Sequence, residues 1–220
     1  MDFTALFTKK KYRWKRLRRI TKKRPPKLEY DEILSTLKEV MVFFFKDLID
    51  VFFVDESGFS LQPNVPYAWQ PIGVQWGIPS EKSKVLNVLG FLNPKSQQLI
   101  TYPMPEGAYM DSELFISYVD DFATKITRET VIIVDRAPWH TSWAVLDKLS
   151  TWATQGLHLF YLPPYCPHLN LIETLWRKIK NEWLSINDYF SKNTLKKKLF
   201  EIFNSYANQY KIEFSMNIFK

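Results

Sequence analysis

Residues 131–135 read Val-Ile-Ile-Val-Asp, and this short stretch is the clearest structural signal in the sequence. Four consecutive β-branched residues are typical of a strand buried in a core. The acidic residue Asp135 follows at the point where the buried strand has to stop. A second stretch, Asp50-Val51-Phe52-Phe53-Val54, has the same character and is followed by Asp55. The sequence therefore predicts two buried strands, each of which ends in a carboxylate.

The rest of the chain arranges itself around these two strands. Residues 56–106 alternate turn signals, such as Ser57-Gly58, with short apolar runs at 85–92 and 99–102, which is the rhythm of an antiparallel meander. A further strand is predicted at 157–162. Helical spacing of apolar residues predicts helices at 29–47, 111–127 (with Asp111 as the N-cap), 141–154, from Asn170 onward, and 193–206. This order predicts an α/β fold, a mixed sheet with helices on its faces.

Composition restricts the class of protein. Hydrophobic residues make up 46% of the chain and charged residues 24%, which is typical of a globular domain rather than a disordered one. The single cysteine, Cys166, excludes a disulfide framework and a thiolate zinc site. The most apolar stretch, 40–54, is interrupted by three charged residues, so we expect no membrane span. A cytoplasmic, nucleoid-associated location fits these observations.

Positive charge is concentrated at the N-terminus. Residues 1–27 carry twelve Lys and Arg and one acid, a net charge of +11, whereas the remaining chain carries −4. Such a segment can neutralise backbone phosphates and release counterions. The residues that we expect to contact DNA are Lys11, Arg13, Lys15, Arg16, Arg18 and Arg19. The alternative is a solvated basic leader that binds nothing in particular.

Three acids are candidates for a metal site: Asp55, Asp135 and Glu173. Carboxylates that converge from separate elements repel each other unless a cation joins them, and oxygen ligands without His or Cys select Mg²⁺ or Mn²⁺. Each acid also has a purely structural interpretation. Asp55 could belong to a turn before Ser57-Gly58, Asp135 could cap the following helix, and Glu173 could complete a capping box with Asn170.

The sequence around each acid is more specific than the acid itself. The three stretches are VDESGF at 54–59, VDRAPWHTS at 134–142 and LPPYCPHLNLIETLW at 162–176. Together and in this order they resemble the DDE domain of the IS630 transposases, within the Tc1/mariner group. The resemblance runs from about residue 50 to about residue 184, and the segment at 14–16 resembles the stretch just upstream in that family.

The resemblance implies an RNase H-like fold and metal-dependent cutting and rejoining of double-stranded DNA. By match to the motifs, Asp55, Asp135 and Glu173 are the catalytic, metal-binding triad for two Mg²⁺ or Mn²⁺ ions, with Asp55 shared between them. His140 could contact a DNA phosphate or orient a ligand, and a purely structural histidine is the alternative. Trp139 and Trp176 are expected in the core more than against DNA.

The resemblance also implies an organisation and a set of partners. We expect a basic segment at 1–27, a linker helix at 28–48 and an RNase H-like catalytic domain at 49–220. Relatives carry a helix-turn-helix region that reads the element ends, so a separate polypeptide from a split reading frame could supply it here. Handling two DNA ends is compatible with a homodimer. The alternatives are a structure-specific or RNase H-type nuclease, and a truncated remnant that binds DNA without cutting it.

Overall fold

The structure is a computed structural model that describes residues 25–64, 69–75, 77 and 84–219. The strands are β1 Asp50–Ser60, β2 Lys84–Asn93, β3 Gln98–Pro103, β4 Thr130–Val134 and β5 Leu157–Tyr161. The α-helices are α1 Lys27–Phe45, α2 Ser112–Ala123, α3 Trp143–Thr154, α4 Ile172–Lys178 and α5 Lys192–Asn204. Short 3₁₀ turns lie at Pro167–Leu169, Ile186–Tyr189 and Asn217–Phe219, and α4 continues into a π-helical turn at Ile179–Trp183.

The five strands form one mixed sheet in the order β3-β2-β1-β4-β5. The first three strands pair antiparallel, as consecutive hairpin strands do. β4 and β5 then add to the other edge of β1 as parallel strands. This arrangement confirms the predicted α/β fold with a mixed sheet and matches the RNase H-like fold.

The sheet is covered by helices on both faces. Apolar residues of α1, α4 and α5 form one buried cluster with Val51 and Phe53 of β1. Those of α2 and α3 form a second cluster with Phe52 and Val54. Because alternate side chains of a strand point to opposite faces, β1 contributes to both layers of the core. Strands buried on both faces explain the unbroken apolar runs in the sequence.

The predicted meander is confirmed in part and corrected in part. Strands β2 and β3 lie where the apolar runs predicted them. β1, however, does not stop before Asp55: it continues to Ser60 because it keeps pairing with β2. The Ser57-Gly58 pair therefore lies inside a strand, paired with Val88 and Asn87, and is not a turn.

The helices start close to where the sequence placed them. The Asp111 carboxylate accepts the Leu114 N–H at 2.8 Å, so it is the N-cap of α2 as predicted. That helix ends at Ala123 rather than at residue 127. No helix within the described residues is long and apolar enough to cross a membrane. The predicted DNA contacts between Lys11 and Arg19 lie outside the described residues.

Candidate active site

A pocket opens at the edge of the sheet where β4 ends. All three acids singled out from the sequence line it, although they come from three separate elements. Its lining consists of Asp55, Asp135, Leu162, Pro163, Tyr165, Cys166, Pro167, Asn170 and Glu173. The structure therefore brings together the residues that the motifs predicted, at one place.

Strand register explains why the two aspartates meet. Phe53 of β1 pairs with Ile133 of β4 in the parallel ladder, and that ladder ends there. Two residues further along each chain are Asp55 and Asp135, so both side chains point to the same face of the sheet. Asp55 remains held by its antiparallel partner Gly90, while its β4 side is open. One aspartate is thus fixed within a strand and the other at a strand end.

Glu173 reaches the same pocket from α4, which packs directly on the sheet. The close approach depends on Gly90, the residue opposite Asp55 on β2. A Cβ atom at Gly90 would lie 2.6 Å from Trp176 Cζ2 and 2.9 Å from Ile172 Cδ1. The missing side chain therefore makes the space that the Trp176 ring occupies, and α4 can lie against the strand that carries Asp55.

Burial, reinforced by like charges, disfavours ionised carboxylates in this pocket. Burial raises the pKa of Asp55 well above its ordinary value, and the negative charges of Glu173, Glu56 and Asp135 raise it further. Burial also raises the pKa of Glu173, while the positive charges of Lys180 and Arg177 oppose that rise. A site that makes carboxylates this hard to ionise would be stabilised by a cation that they share.

Asp135 is held from behind by a buried histidine. His140 Nδ1 lies 2.8 Å from Asp135 Oδ1, and His140 Nε2 lies 3.0 Å from Glu56 Oε1. Trp139 Nε1 donates to the same Glu56 oxygen at 3.0 Å. The Asp135 Oδ1 atom also accepts the Ala137 N–H at 3.0 Å. Asp135, His140 and Glu56 thus form a continuous hydrogen-bonded chain.

The charge of His140 follows from these contacts. Burial disfavours its charged form, but the hydrogen bonds that its ring donates to Asp135 and Glu56 outweigh that effect and raise its pKa to about 9. Burial likewise raises the pKa of Asp135, but the hydrogen bond and charge of His140 bring that pKa below its ordinary value. Near neutral pH the imidazolium and the Asp135 carboxylate therefore stabilise each other.

This arrangement corrects two expectations. The side chain of His140 is completely buried, so it does not face a DNA phosphate. Asp135 does not cap α3, because that role belongs to Ser142, whose side chain accepts the Val145 N–H. Glu56 was missed altogether. Strict alternation along β1 was the available signal, since it sends Asp55 and Glu56 to opposite faces.

Asn170 has a different role from the capping box that was one interpretation of the sequence. Its side chain makes no cap to α4 and instead donates to the Val54 carbonyl at 2.9 Å, which ties the loop before α4 to β1. Its buried Oδ1 accepts no hydrogen bond from any described residue. This amide oxygen and the three carboxylates of the pocket together form a set of oxygen ligands that suits a hard cation.

The three acids share the pocket without forming a ready-made metal centre. Over the described parts of the chain, no group of three or more His, Cys, Asp or Glu side chains is arranged to hold a metal ion. Mutual repulsion is a physical reason for the acids to stay apart without a cation. Of the two tryptophans that were expected in the core, Trp176 is buried and Trp139 is half-buried.

Comparison with known proteins places this geometry in a family. The family described as DDE superfamily endonuclease matches residues 50–196, more than half of the chain. An uncharacterized protein of Sinorhizobium fredii, y4pE/y4sA, is 30% identical over 79 residues, which cover 35% of this chain and 54% of that protein. The aligned part is therefore about half of that relative.

Solved structures of Mos1 transposase have a similar fold. The paired-end complex with the left transposon end gives a TM-score of 0.57 at 12% identity, covering 96% of this chain and 64% of that chain. The catalytic domain of Mos1 mariner transposase gives 0.53 at 14% identity, covering 91% of each chain. The chain thus spans less than two thirds of the longer Mos1 chain and most of its catalytic domain. At these identities the likeness concerns the fold.

Proposed function

We propose that this chain, which belongs to the DDE superfamily endonucleases, is the catalytic domain of a transposase that cuts DNA and joins the released 3′ end to new DNA. One observation carries the proposal: Asp55, Asp135 and Glu173, each within its family-like motif, line a single pocket. Strands β1 and β4 and helix α4 converge there, and each acid lies in or directly after one of these elements.

The residues of the pocket fit two Mg²⁺ or Mn²⁺ ions. Asp55, Asp135 and Glu173 would hold them, and the unpartnered Oδ1 of Asn170 adds a neutral oxygen. Bound cations would neutralise the charge on the phosphate and activate the attacking oxygen. Two of the Mos1 structures were determined with Mn and with Mg, respectively, which supports the same choice of metal here.

The protein's own contribution is placement. β1 carries Asp55, β4 ends one residue before Asp135, and α4 carries Glu173. The attacking group, first water and then a DNA 3′-hydroxyl, would lie in line with the leaving oxygen, and no side-chain nucleophile is needed. Cys166 lines the pocket and has no role in this scheme.

DNA is the proposed partner. Mos1 transposase is seen in complex with transposon-end DNA, and this chain shares its fold. Near Glu173, Arg177 of α4 and Lys180 of the following π-helical turn would provide positive charge for phosphates. The basic residues of segment 1–27 would add sequence-independent contacts. We further propose a homodimer acting on two ends, and a separate helix-turn-helix polypeptide that reads the end sequence.

The proposal is tested by asking whether the protein joins DNA or only hydrolyses it. A labelled duplex containing the DNA that flanks the gene, incubated with supercoiled plasmid and Mn²⁺, should become covalently attached to the plasmid. Joining uses the energy of the broken phosphodiester bond, so no cofactor besides the metal is needed. Gel electrophoresis under denaturing conditions measures the attached label.

A matched control uses a duplex that is already cut at the end of the element and finishes there in a 3′-dideoxynucleotide, which lacks the attacking hydroxyl. Attachment should occur with the 3′-hydroxyl form of this duplex and disappear with the dideoxy form. Shortened fragments with no attachment in either reaction would instead favour a structure-specific nuclease. DNA binding without any cutting, in the presence of Mn²⁺, would favour a non-catalytic remnant.

A further inference from the structure

We infer that Glu56 and His140 form a positioning unit that fixes the Asp135 carboxylate for the cations of the pocket. The inference rests on the proposed function and extends it from the three acids to residues that touch neither metal nor DNA. The two side chains come from different elements. Glu56 belongs to β1, and His140 lies in the turn between β4 and α3.

The imidazole ring is fastened at both of its nitrogen atoms. Nδ1 meets Asp135 Oδ1 at 2.8 Å, and Nε2 meets Glu56 Oε1 at 3.0 Å. Each ring nitrogen therefore has one carboxylate oxygen within hydrogen-bonding distance. Rotation of the ring would break both bonds at once, and the ring therefore transmits the position of Glu56 to Asp135.

The surroundings leave His140 no other position. Its side chain is fully buried, and its ring centroid lies 4.4 Å from that of Phe115 of α2. The Tyr161 hydroxyl of β5 donates to the His140 carbonyl at 2.9 Å, and the His140 N–H donates to Ala137 O at 2.9 Å. Both backbone and side chain are thus held, and this is the character of a rigid support.

Glu56 occupies the opposite face of β1 from Asp55. Trp139 Nε1 donates to the same oxygen that accepts from His140, so two donors orient the Glu56 carboxylate. The consecutive acids Asp55 and Glu56 of β1 therefore have different roles. Asp55 points into the pocket, while Glu56 supports Asp135 through His140 from the face that α2 and α3 cover.

The support leaves one oxygen of Asp135 for the pocket. Within the described residues, the hydrogen bonds that the Asp135 side chain accepts all end on Oδ1. Its side chain is about half exposed, so Oδ2 can reach a cation without breaking them. Groups that orient a metal ligand in this way are commonly worth 10- to 100-fold in metal affinity.

Replacing His140 by Phe tests the inference, because Phe keeps the contact with Phe115 but removes both donors. Mn²⁺ affinity of the full chain, measured by titration calorimetry without DNA, should fall by about 10- to 100-fold. His140→Asn should recover part of that affinity, since its amide can replace the Nδ1 donor to Asp135. His158→Phe is the control: it removes a histidine that bonds the Glu129 carboxylate at 2.9 Å away from the pocket, and it should leave Mn²⁺ affinity unchanged.

A second variant covers the case in which His140→Phe does not fold. Glu56→Gln keeps the size of the side chain and an acceptor for Trp139, but removes the charge that holds the far edge of the ring. It should weaken Mn²⁺ binding in the same direction and by less, with circular dichroism unchanged.

Two results would overturn the inference, and they differ. If folded His140→Phe or Glu56→Gln binds Mn²⁺ as tightly as the wild type, the positioning unit is wrong and the proposed function stands. If the wild-type protein takes up no Mn²⁺ at all, the proposed function itself fails, and the inference fails with it.

Discussion

Replacing Asp135 by Asn should lower the rate of Mn²⁺-dependent DNA nicking by on the order of 10³-fold while the protein stays folded. The neutral amide keeps an oxygen for the Ala137 N–H and for His140, so the local hydrogen bonds can persist. What is lost is a negative charge that the proposed cations need. The stabilisation of charge by a bound metal is worth several kcal/mol, which sets the expected magnitude.

A matched control lies at the other end of the same strand. Glu129 directly precedes β4 and also pairs with a histidine, His158, at 2.9 Å. Glu129→Gln therefore removes the negative charge from a more exposed acid–histidine pair outside the pocket, and this variant should nick DNA at the wild-type rate. Nicking of supercoiled plasmid gives the rate, and thermal unfolding checks the fold. Equal activity of Asp135→Asn and the wild type would remove Asp135 from the proposed triad.

Replacing Gly90 by Ala should both destabilise the protein and impair cleavage. The added Cβ would meet the Trp176 ring and Ile172 at less than 3 Å, so α4 has to move away from the sheet. Overpacking of this kind costs about 1–3 kcal/mol in the free energy of unfolding. Because α4 carries Glu173, a displacement of about 1 Å would lower the cleavage rate by on the order of 10²-fold.

Gly77→Ala is the matched control for this substitution. A Cβ atom there meets nothing within 4 Å, so neither stability nor cleavage should change. Urea unfolding measures the first effect, and plasmid nicking at saturating Mn²⁺ measures the second. A Gly90→Ala protein with wild-type stability and wild-type cleavage would show that the approach of α4 to β2 does not set the position of Glu173.

Much of the fold could be predicted from local patterns, since a buried strand such as β4 and a capped helix such as α2 are recognisable from a few consecutive residues. The second half of β1 did not, because Ser57 and Gly58 resemble turn residues. Their strand conformation comes from pairing with β2, a partner some thirty residues away. Strand propensity depends on such tertiary context, which a local pattern does not contain.

The site was predictable to a similar degree. The three sequence motifs indicated Asp55, Asp135 and Glu173, and the fold brings all three to one pocket. The supporting contacts were not visible, because Glu56 and His140 are 84 residues apart in sequence and meet only through the packing of β1 against the turn after β4. The role of Gly90 could not be predicted either, since a glycine in a strand does not indicate which side chain packs against it.

Crystals grown with Mn²⁺ and measured for anomalous scattering would show where the protein binds its cations. We expect anomalous peaks inside the pocket, bonded to oxygens of Asp55, Asp135 and Glu173 together. Peaks found only elsewhere on the protein, or peaks in the pocket with Glu173 turned away from them, would contradict the proposed metal-binding triad.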